Sequence, residues 1–269
     1  MRRWLLPKTT LWFLPTIWFL SVTIYGQQPF VTDDADVTER GKLHFEFRNS
    51  FDLLQRSSFP NLKQDTANFE LDYGLLKNVE LGISAPLITL FNARETSPRT
   101  AAGIGDANLS IKYNFRKEHM DSKVPAMSVQ LNIEAPTGDV ERKLGSGLTD
   151  VWINGVAQKT LSHRTILRVN TGVLFAGNTT TGVIGIRSRG TVFTGGSSLV
   201  RKFTSRLQLG VELTGALTTA FELSRGQLQT LIGGNYEIKE GLTIDLGVVG
   251  GHYSASPRVG AVLGLSIDF

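Results

Sequence analysis

The chain has no cysteine. That excludes a disulfide-stapled scaffold, a thiolate zinc site, an iron–sulfur cluster and a cysteine nucleophile. Charge is sparse as well: 28 Lys and Arg with 24 Asp and Glu make up 19% of 269 residues, while 41% are hydrophobic. Such a chain is too apolar to stay disordered. Long apolar runs are also scarce. Mean hydropathy is −0.03, and the one extended apolar stretch, 11–24 (LWFLPTIWFLSVTI), is interrupted by Pro15. A multi-helix membrane protein needs repeated runs of about 18 or more apolar residues, so that class is excluded. No basic stripe with interleaved aromatics is present, so no nucleic-acid partner is expected.

The beginning of the chain has the layout of a secretory signal. Arg2, Arg3 and Lys8 precede the apolar stretch, and the small residue Gly26 follows it. A charged start, a short apolar core and a small-residue cut define a cleavable signal peptide, assigned here to 1–26. Its removal takes three positive charges from a formal net charge of +4. The precursor's basic balance therefore carries no functional meaning. Residues 27–40 are expected to form a periplasmic N-terminal segment ahead of a single domain, 41–269.

From residue 41 the sequence alternates almost to its end. Leu43, Phe45, Phe47, Phe51 and Leu53 share one face, against Lys42, His44, Glu46, Arg48, Ser50 and Asp52. Phe69, Leu71, Tyr73 and Leu75 oppose Asn68, Glu70, Asp72 and Gly74. Period-two alternation marks strands with one apolar and one polar side. Twelve such segments are read, near 41–54, 67–76, 79–88, 104–115, 124–135, 149–160, 164–176, 190–202, 205–219, 226–238, 241–252 and 257–269. The sixth, seventh and eighth are the least clean, and in the sixth Trp152 and Val156 fall on the otherwise polar face. No segment of helical period follows the signal.

The connections alternate too. Residues 77–78, 161–163, 203–204 and 239–240 are short links, and 116–123 is the longest of that set; 55–66, 89–103, 136–148 and 177–189 are longer, with 220–225 and 253–256 as short exceptions. In a bilayer every backbone polar group needs a partner, so only helices and closed barrels span it. Even strand number, short periplasmic turns and longer outer loops describe an outer-membrane barrel. The expected fold is therefore all-β: a single transmembrane antiparallel up-and-down β-barrel of about 12 strands, in the bacterial outer membrane with lipid around it. The rival is a secreted β-sandwich, whose apolar faces would meet in a core. The final strand ends on Phe269, which resembles the C-terminal signal that the barrel-assembly machinery reads.

Two glycine-containing motifs stand out. Gly103-Ile-Gly105-Asp106 enters the fourth strand, and Ala135-Pro136-Thr137-Gly138-Asp139 ends the fifth. A dinucleotide fingerprint fails, because Asn108 stands where its third glycine belongs and no helix follows. The two glycines permit a tight turn into the strand, and Asp106 is placed to cap that turn or to pair with a base. Together with Thr32-Asp33-Asp34-Ala35, these motifs resemble the barrel family named for the meta-pathway of phenol degradation. The resemblance implies an outer-membrane barrel passing small aromatic or apolar solutes, and it supplies no catalytic residue.

With the apolar face toward lipid, the polar face lines the interior. The lumen-lining set is then Lys42, His44, Glu46, Arg48, Glu70, Asp72, Glu80, Asp106, Lys112, Glu134, Arg168, Glu212, Glu237 and Asp245. The expected function is passive passage of small solutes along a narrow polar-lined barrel, without cofactor or metal. Asp33, Asp34 and Asp36 lack calcium-loop spacing. Two alternatives remain. One is lipid hydrolysis by His252 with Ser254, which lacks a third member in reach. The other is a structural or adhesive barrel.

Overall fold

The computed structural model describes residues 29–56, 61–92, 99–119, 122–175, 190–218, 226–253 and 256–269. Thirteen strand segments follow in order: β1 (Leu43–Leu53), β2 (Lys63–Leu76), β3 (Val79–Phe91), β4 (Ala101–Ile104), β5 (Ala107–Arg116), β6 (Ala126–Ala135) and β7 (Asp150–Ser162), then β8 (Thr165–Phe175), β9 (Thr191–Lys202), β10 (Leu207–Thr218), β11 (Gln227–Lys239), β12 (Leu242–His252) and β13 (Val259–Asp268). All strand pairings are antiparallel and between chain neighbours, except that β5 pairs with β3 rather than β4, and β1 pairs with both β2 and β13. The sheet closes on itself without an edge. β4 and β5 both lie against β3 and are two parts of one stave, which makes twelve staves in the ring. The expected all-β, twelve-strand barrel is the observed fold. Signal peptide 1–26 lies outside the described residues.

The broken fourth stave has a local cause. Ser84 pairs with Asn108, but Leu87 pairs with Ile104, so one extra residue is inserted between them. Pro86 sits opposite the insertion. Proline has no N–H to give to a ladder, so the neighbouring strand bulges there. The Pro86 carbonyl still accepts the Gly105 N–H at 2.8 Å.

Alternation decides which side chains face out. Leu246, Ile232, Val248, Ile83 and Leu109 are exposed, while Asp245, Leu231, Val249, Gly82 and Asn108 alternate with them on the inner side. The outer face is apolar around the ring, as a lipid-facing belt requires. Exposed aromatic residues lie toward both ends of it: Phe51, Phe175, Phe193 and Tyr253 at one, and at the other Tyr73, Tyr113, Phe115, Phe203, Tyr236 and Phe269, with Arg201 5.9 Å above the Phe203 ring. This end carries the short turns, and amphipathic aromatic rings belong at such a boundary.

The longest of these turns is held by one ion pair. Lys159 Nζ donates to Glu118 Oε1 and to the Ser122 carbonyl, and Thr160 N–H donates to Glu118 Oε2 at 3.0 Å. Partial burial pushes the Glu118 carboxyl up, but the hydrogen bonds from Lys159 and Thr160 outweigh it and hold the group below its ordinary value of 4.5.

Two outcomes follow. Leu246→Arg, at mid-height on the lipid face, is expected to cost roughly 2–4 kcal/mol in denaturant unfolding of the bilayer-inserted barrel; an unchanged midpoint contradicts the outward assignment. A depressed carboxyl stabilises the fold above its unfolded value and loses that effect as pH falls through its folded value. Glu118→Gln is therefore expected to lower stability by up to about 1 kcal/mol at neutral pH. The difference from the parent chain should vanish on acidification past the carboxylate range, and a pH-independent difference refutes the assignment.

Candidate functional site: the barrel interior

Thirteen of the fourteen residues expected in the lumen occupy inward positions of the staves. His44, Glu46 and Arg48 lie on β1, Glu70 and Asp72 on β2, Glu80 on β3, and Lys112 on β5. Glu134 lies on β6, Arg168 on β8, Glu212 on β10, Glu237 on β11 and Asp245 on β12, while Asp106 occupies the bulge between β4 and β5. Lys42 departs from the expectation. It precedes β1 at the short-turn rim and is exposed.

These side chains are not spread evenly. His44 bridges Asp268 (Nδ1 to Oδ1, 2.6 Å) and Glu46 (Nε2 to Oε1, 3.0 Å) at the junction where β13 closes on β1. Glu46 and Glu70 are register partners, as are His44 and Asp72, so acids crowd the wall of β1, β2 and β3. Lys112, 1% exposed, and Arg168, 7%, supply positive charge on the wall of β5 to β8.

The interior holds a further part of the chain. Residues 29–38 run inside the ring rather than ahead of it in the periplasm, where 27–40 is expected from the sequence. Thr38 N–H and Oγ1 donate to Glu80 Oε2 at 2.6 and 2.7 Å. Gln158 Nε2 donates to Asp36 at 3.0 Å, and Asn114 Nδ2 donates to the Ala35 carbonyl. Lys112 Nζ lies 3.0 Å from Asp33 and 3.4 Å from Asp34, and Arg168 Nη2 lies 3.7 Å from Asp34 Oδ2. Glu212, 1% exposed, accepts the N–H groups of Val31 and Thr32. Phe30 ends the run among Val200, Leu231, Val249 and Val262.

The physical reason is twofold. Strands about 4.8 Å apart and tilted about 40° give a twelve-stave ring a backbone radius of roughly 12 Å. Once inward side chains are subtracted, the remaining bore is about one extended chain wide. Buried cations also need counter-charges, and the acids of the segment meet Lys112 and Arg168. Asp33 and Asp34 are thus counter-ions inside the barrel. Among the described residues no group of three or more His, Asp or Glu is arranged for a metal ion.

A second inward element lies toward the long-loop end. Asp106 Oδ1 accepts the Gly138 N–H and Oδ2 the Ser146 N–H, both at 2.8 Å. Thr137 Oγ1 donates to the Gly105 carbonyl at 3.0 Å. The motifs of Gly103, Gly105 and Asp106 and of Pro136, Gly138 and Asp139 therefore converge. Asp139 caps the next turn, taking the Arg142 N–H at 3.0 Å, and Pro136 is exposed. A Cβ on Gly138 would sit 2.8 Å from Gly145 Cα, which explains the glycine. The result is that Leu144, fully buried, enters the bore against Ile88, Leu90 and Ala101.

His252, of the alternative hydrolytic pair, has its ring edge-on to Tyr253 at 4.7 Å. Ser254 lies outside the described residues.

No protein-family model matches the chain, and no curated protein matches it significantly. Solved structures do resemble it. The COG4313 outer membrane channel from Pseudomonas putida F1 superposes with a TM-score of 0.71 over 88% of this chain and 98% of that one, at 13% identity. The NanC porin gives 0.57 over 83% and 98%, at 8% identity. The KdgM porin in complex with disordered oligogalacturonate gives 0.55 over 84% and 99%, at 9% identity. The class is thereby defined: the chain has the fold of outer-membrane β-barrels.

The segment inside the bore escapes a reading by alternation, which sees only strands. A usable signal exists nonetheless. Lys112 and Arg168 lie in mid-strand on an inner face, and three aspartates at 33, 34 and 36 have no strand of their own.

Lys112→Met is expected to destabilise the barrel by roughly 3–5 kcal/mol, because it leaves Asp33 without its cation and Asp34 with Arg168 alone. Adding Asp33→Asn and Asp34→Asn should recover part of the loss in urea unfolding. Strict additivity of the substitutions would show that the pairing is not formed.

Proposed function

We propose that this protein is a passive channel of the bacterial outer membrane for small solutes, aromatic or apolar ones among them. One observation carries the proposal: the ring is closed and apolar outside, yet its interior is polar and is occupied by a separate segment instead of a packed core. A barrel of structural purpose gains nothing from a bore kept open by twelve staves and then narrowed by about one chain width, since eight staves fill themselves. Trp152, half-buried over Leu174, Val192 and Ala216, offers solutes an apolar surface between the polar groups.

Several finer points belong to the same reading. The short-turn end and both ends of the barrel domain face the periplasm, following the arrangement of such barrels. The last strand, ending at Phe269, is read by the assembly machinery, and its pairing with β1 closes the ring. The motifs around Gly105 and Gly138 support kinship with the phenol meta-pathway barrels. The protein is not an enzyme: His252 is engaged with a neighbouring tyrosine on the outer side, where such a pair belongs to the membrane boundary. The inner acids outnumber the inner bases, which opposes anionic solutes such as the oligogalacturonate of the KdgM porin.

Single-channel recording of the purified protein in a planar bilayer tests the proposal. Small discrete steps with a reversal potential favouring cations are expected. A folded, inserted barrel without steps would overturn the water-filled path, and anion selectivity would overturn the role of the inner acids.

A further inference from the structure

A recess opens in the inner wall of β7 to β11, beside the N-terminal segment. It is half open to the bore, its space measures about 430 Å³ when the open side is counted in, and no charged side chain lines it. Its floor is bare because glycines stand there. Gly172 has no Cβ, and one placed on it would meet Trp152 Nε1 at 2.5 Å. The indole therefore lies across β8 and donates to Thr194 Oγ1 on β9 at 3.2 Å. Gly196 likewise leaves room that a Cβ would take from Thr214 Cγ2 at 2.9 Å and Thr32 Oγ1 at 3.1 Å.

Three polar atoms of the lining have no partner although they are buried: Thr32 Oγ1, Asn154 Oδ1 and Thr214 Oγ1. Thr32 and Asn154 are each 1% exposed. Asn154 donates its own amide to Asn170 Oδ1 at 3.3 Å, with the Asn170 amide oriented to pair both its atoms with the Asp33 backbone. That leaves Asn154 Oδ1 as an acceptor awaiting a donor. Buried orphan atoms occur elsewhere in the barrel too, but three of them meet at this recess, where a bound solute can supply the missing bonds.

We propose that this recess is a solute subsite of the channel, and that it takes an uncharged ring bearing hydroxyl groups. The inference deepens the channel reading and rests on it in one respect, that solutes reach the bore. The ring plane is matched by the indole face of Trp152, since flat rings stack on tryptophan. Hydroxyls are matched by two threonine hydroxyls, which give or accept, and by one amide oxygen, which accepts. Charge is refused, because an ion buried beside neutral groups would go unpaired. A monosaccharide and a phenol share this chemistry.

Trp152 is itself the reporter. The other three tryptophans, Trp4, Trp12 and Trp18, all lie within the first 26 residues. The purified protein in detergent is titrated with methyl glucoside and, separately, with phenol, while tryptophan emission is followed. At least one probe should give a saturable change. Response to the sugar alone, to phenol alone or to both identifies the source and supports the subsite. Thr214→Val and Thr32→Val keep shape and remove hydroxyls that have no partner, so folding is preserved. Either is expected to weaken the midpoint roughly tenfold, the worth of about one good hydrogen bond. Ser128→Ala, an inner-face hydroxyl outside the recess, should leave it unchanged.

No saturable change with either probe overturns the subsite. So does equal response to gluconate and benzoate, or midpoints unmoved in both valine variants. Bilayer conductance of the same preparation separates the two claims. Conduction without binding removes the subsite alone, and binding without conduction removes the channel and keeps the subsite.

Discussion

Two cations in the middle of the inner wall organise this interior. Lys112 and Arg168 are both almost wholly buried, on staves separated by β6 and β7. Arg168 has no acid beside it on the adjoining staves, being flanked by Gln158 and Ser198, and Lys112 has one, Glu80 on β3, with Gln130 on its other side. Glu80 is turned to Thr38. Their main counter-charges therefore come from a part of the chain outside the ring of strands. Asp33 and Asp34 draw residues 29–38 into the bore, and the remaining contacts, from Glu80 at one end of the segment to Glu212 at the other, supply hydrogen bonds along its length. Burying charge is costly without such partners. The pairing thus accounts for both the position of the segment and the narrowness of the path beside it.

The opposite wall follows a different rule. Acids on β1, β2 and β12 face one another with few bases, and His44 ties the closing strand to the first through Asp268 and Glu46. The bore is electrically lopsided, neutralised where the segment lies and acidic across from it. At the long-loop end the constraint is steric. Pro86 breaks one ladder, the bulge aims Asp106 at the loop that follows β6, and that loop delivers Leu144 into the mouth. A backbone defect in one stave thereby shapes the opening of the whole barrel.

Much of this could be read from the amino-acid order. Alternation such as Leu242-Thr-Ile-Asp-Leu-Gly-Val states strand, face and length at once, because only one side can meet lipid. Inner positions such as Glu212 and Asp245 follow by parity. The sixth segment looked irregular because Trp152 and Val156 are apolar yet face inward. The structure shows why: Trp152 covers glycines, and Val156 packs with Ala35 of the segment. What stayed hidden depends on contacts between distant parts of the chain. Residues 29–38 carry no period, and nothing local distinguishes a tail in the periplasm from one threaded through a bore. The meeting of Asp106 with Gly138 and Ser146 is equally non-local, although both motifs drew notice for their glycines. Lys42 departs from the pattern for a simpler reason: parity continues past the end of a strand, but the wall does not.

The position of the N-terminal segment is the centre of this account, and a natural chain without cysteine makes it directly measurable. A single cysteine placed at Ala35→Cys would be fully buried between the segment and the wall, since Ala35 is 0% exposed. A matched cysteine at Lys117→Cys would stand in the exposed turn after β5. Alkylation by a water-soluble maleimide, timed on folded protein in vesicles made permeable to the reagent, compares the two. Protection of position 35 by at least an order of magnitude relative to the same chain unfolded, with position 117 reacting freely, is the predicted result. Equal and rapid labelling at both positions would contradict a segment held inside the barrel.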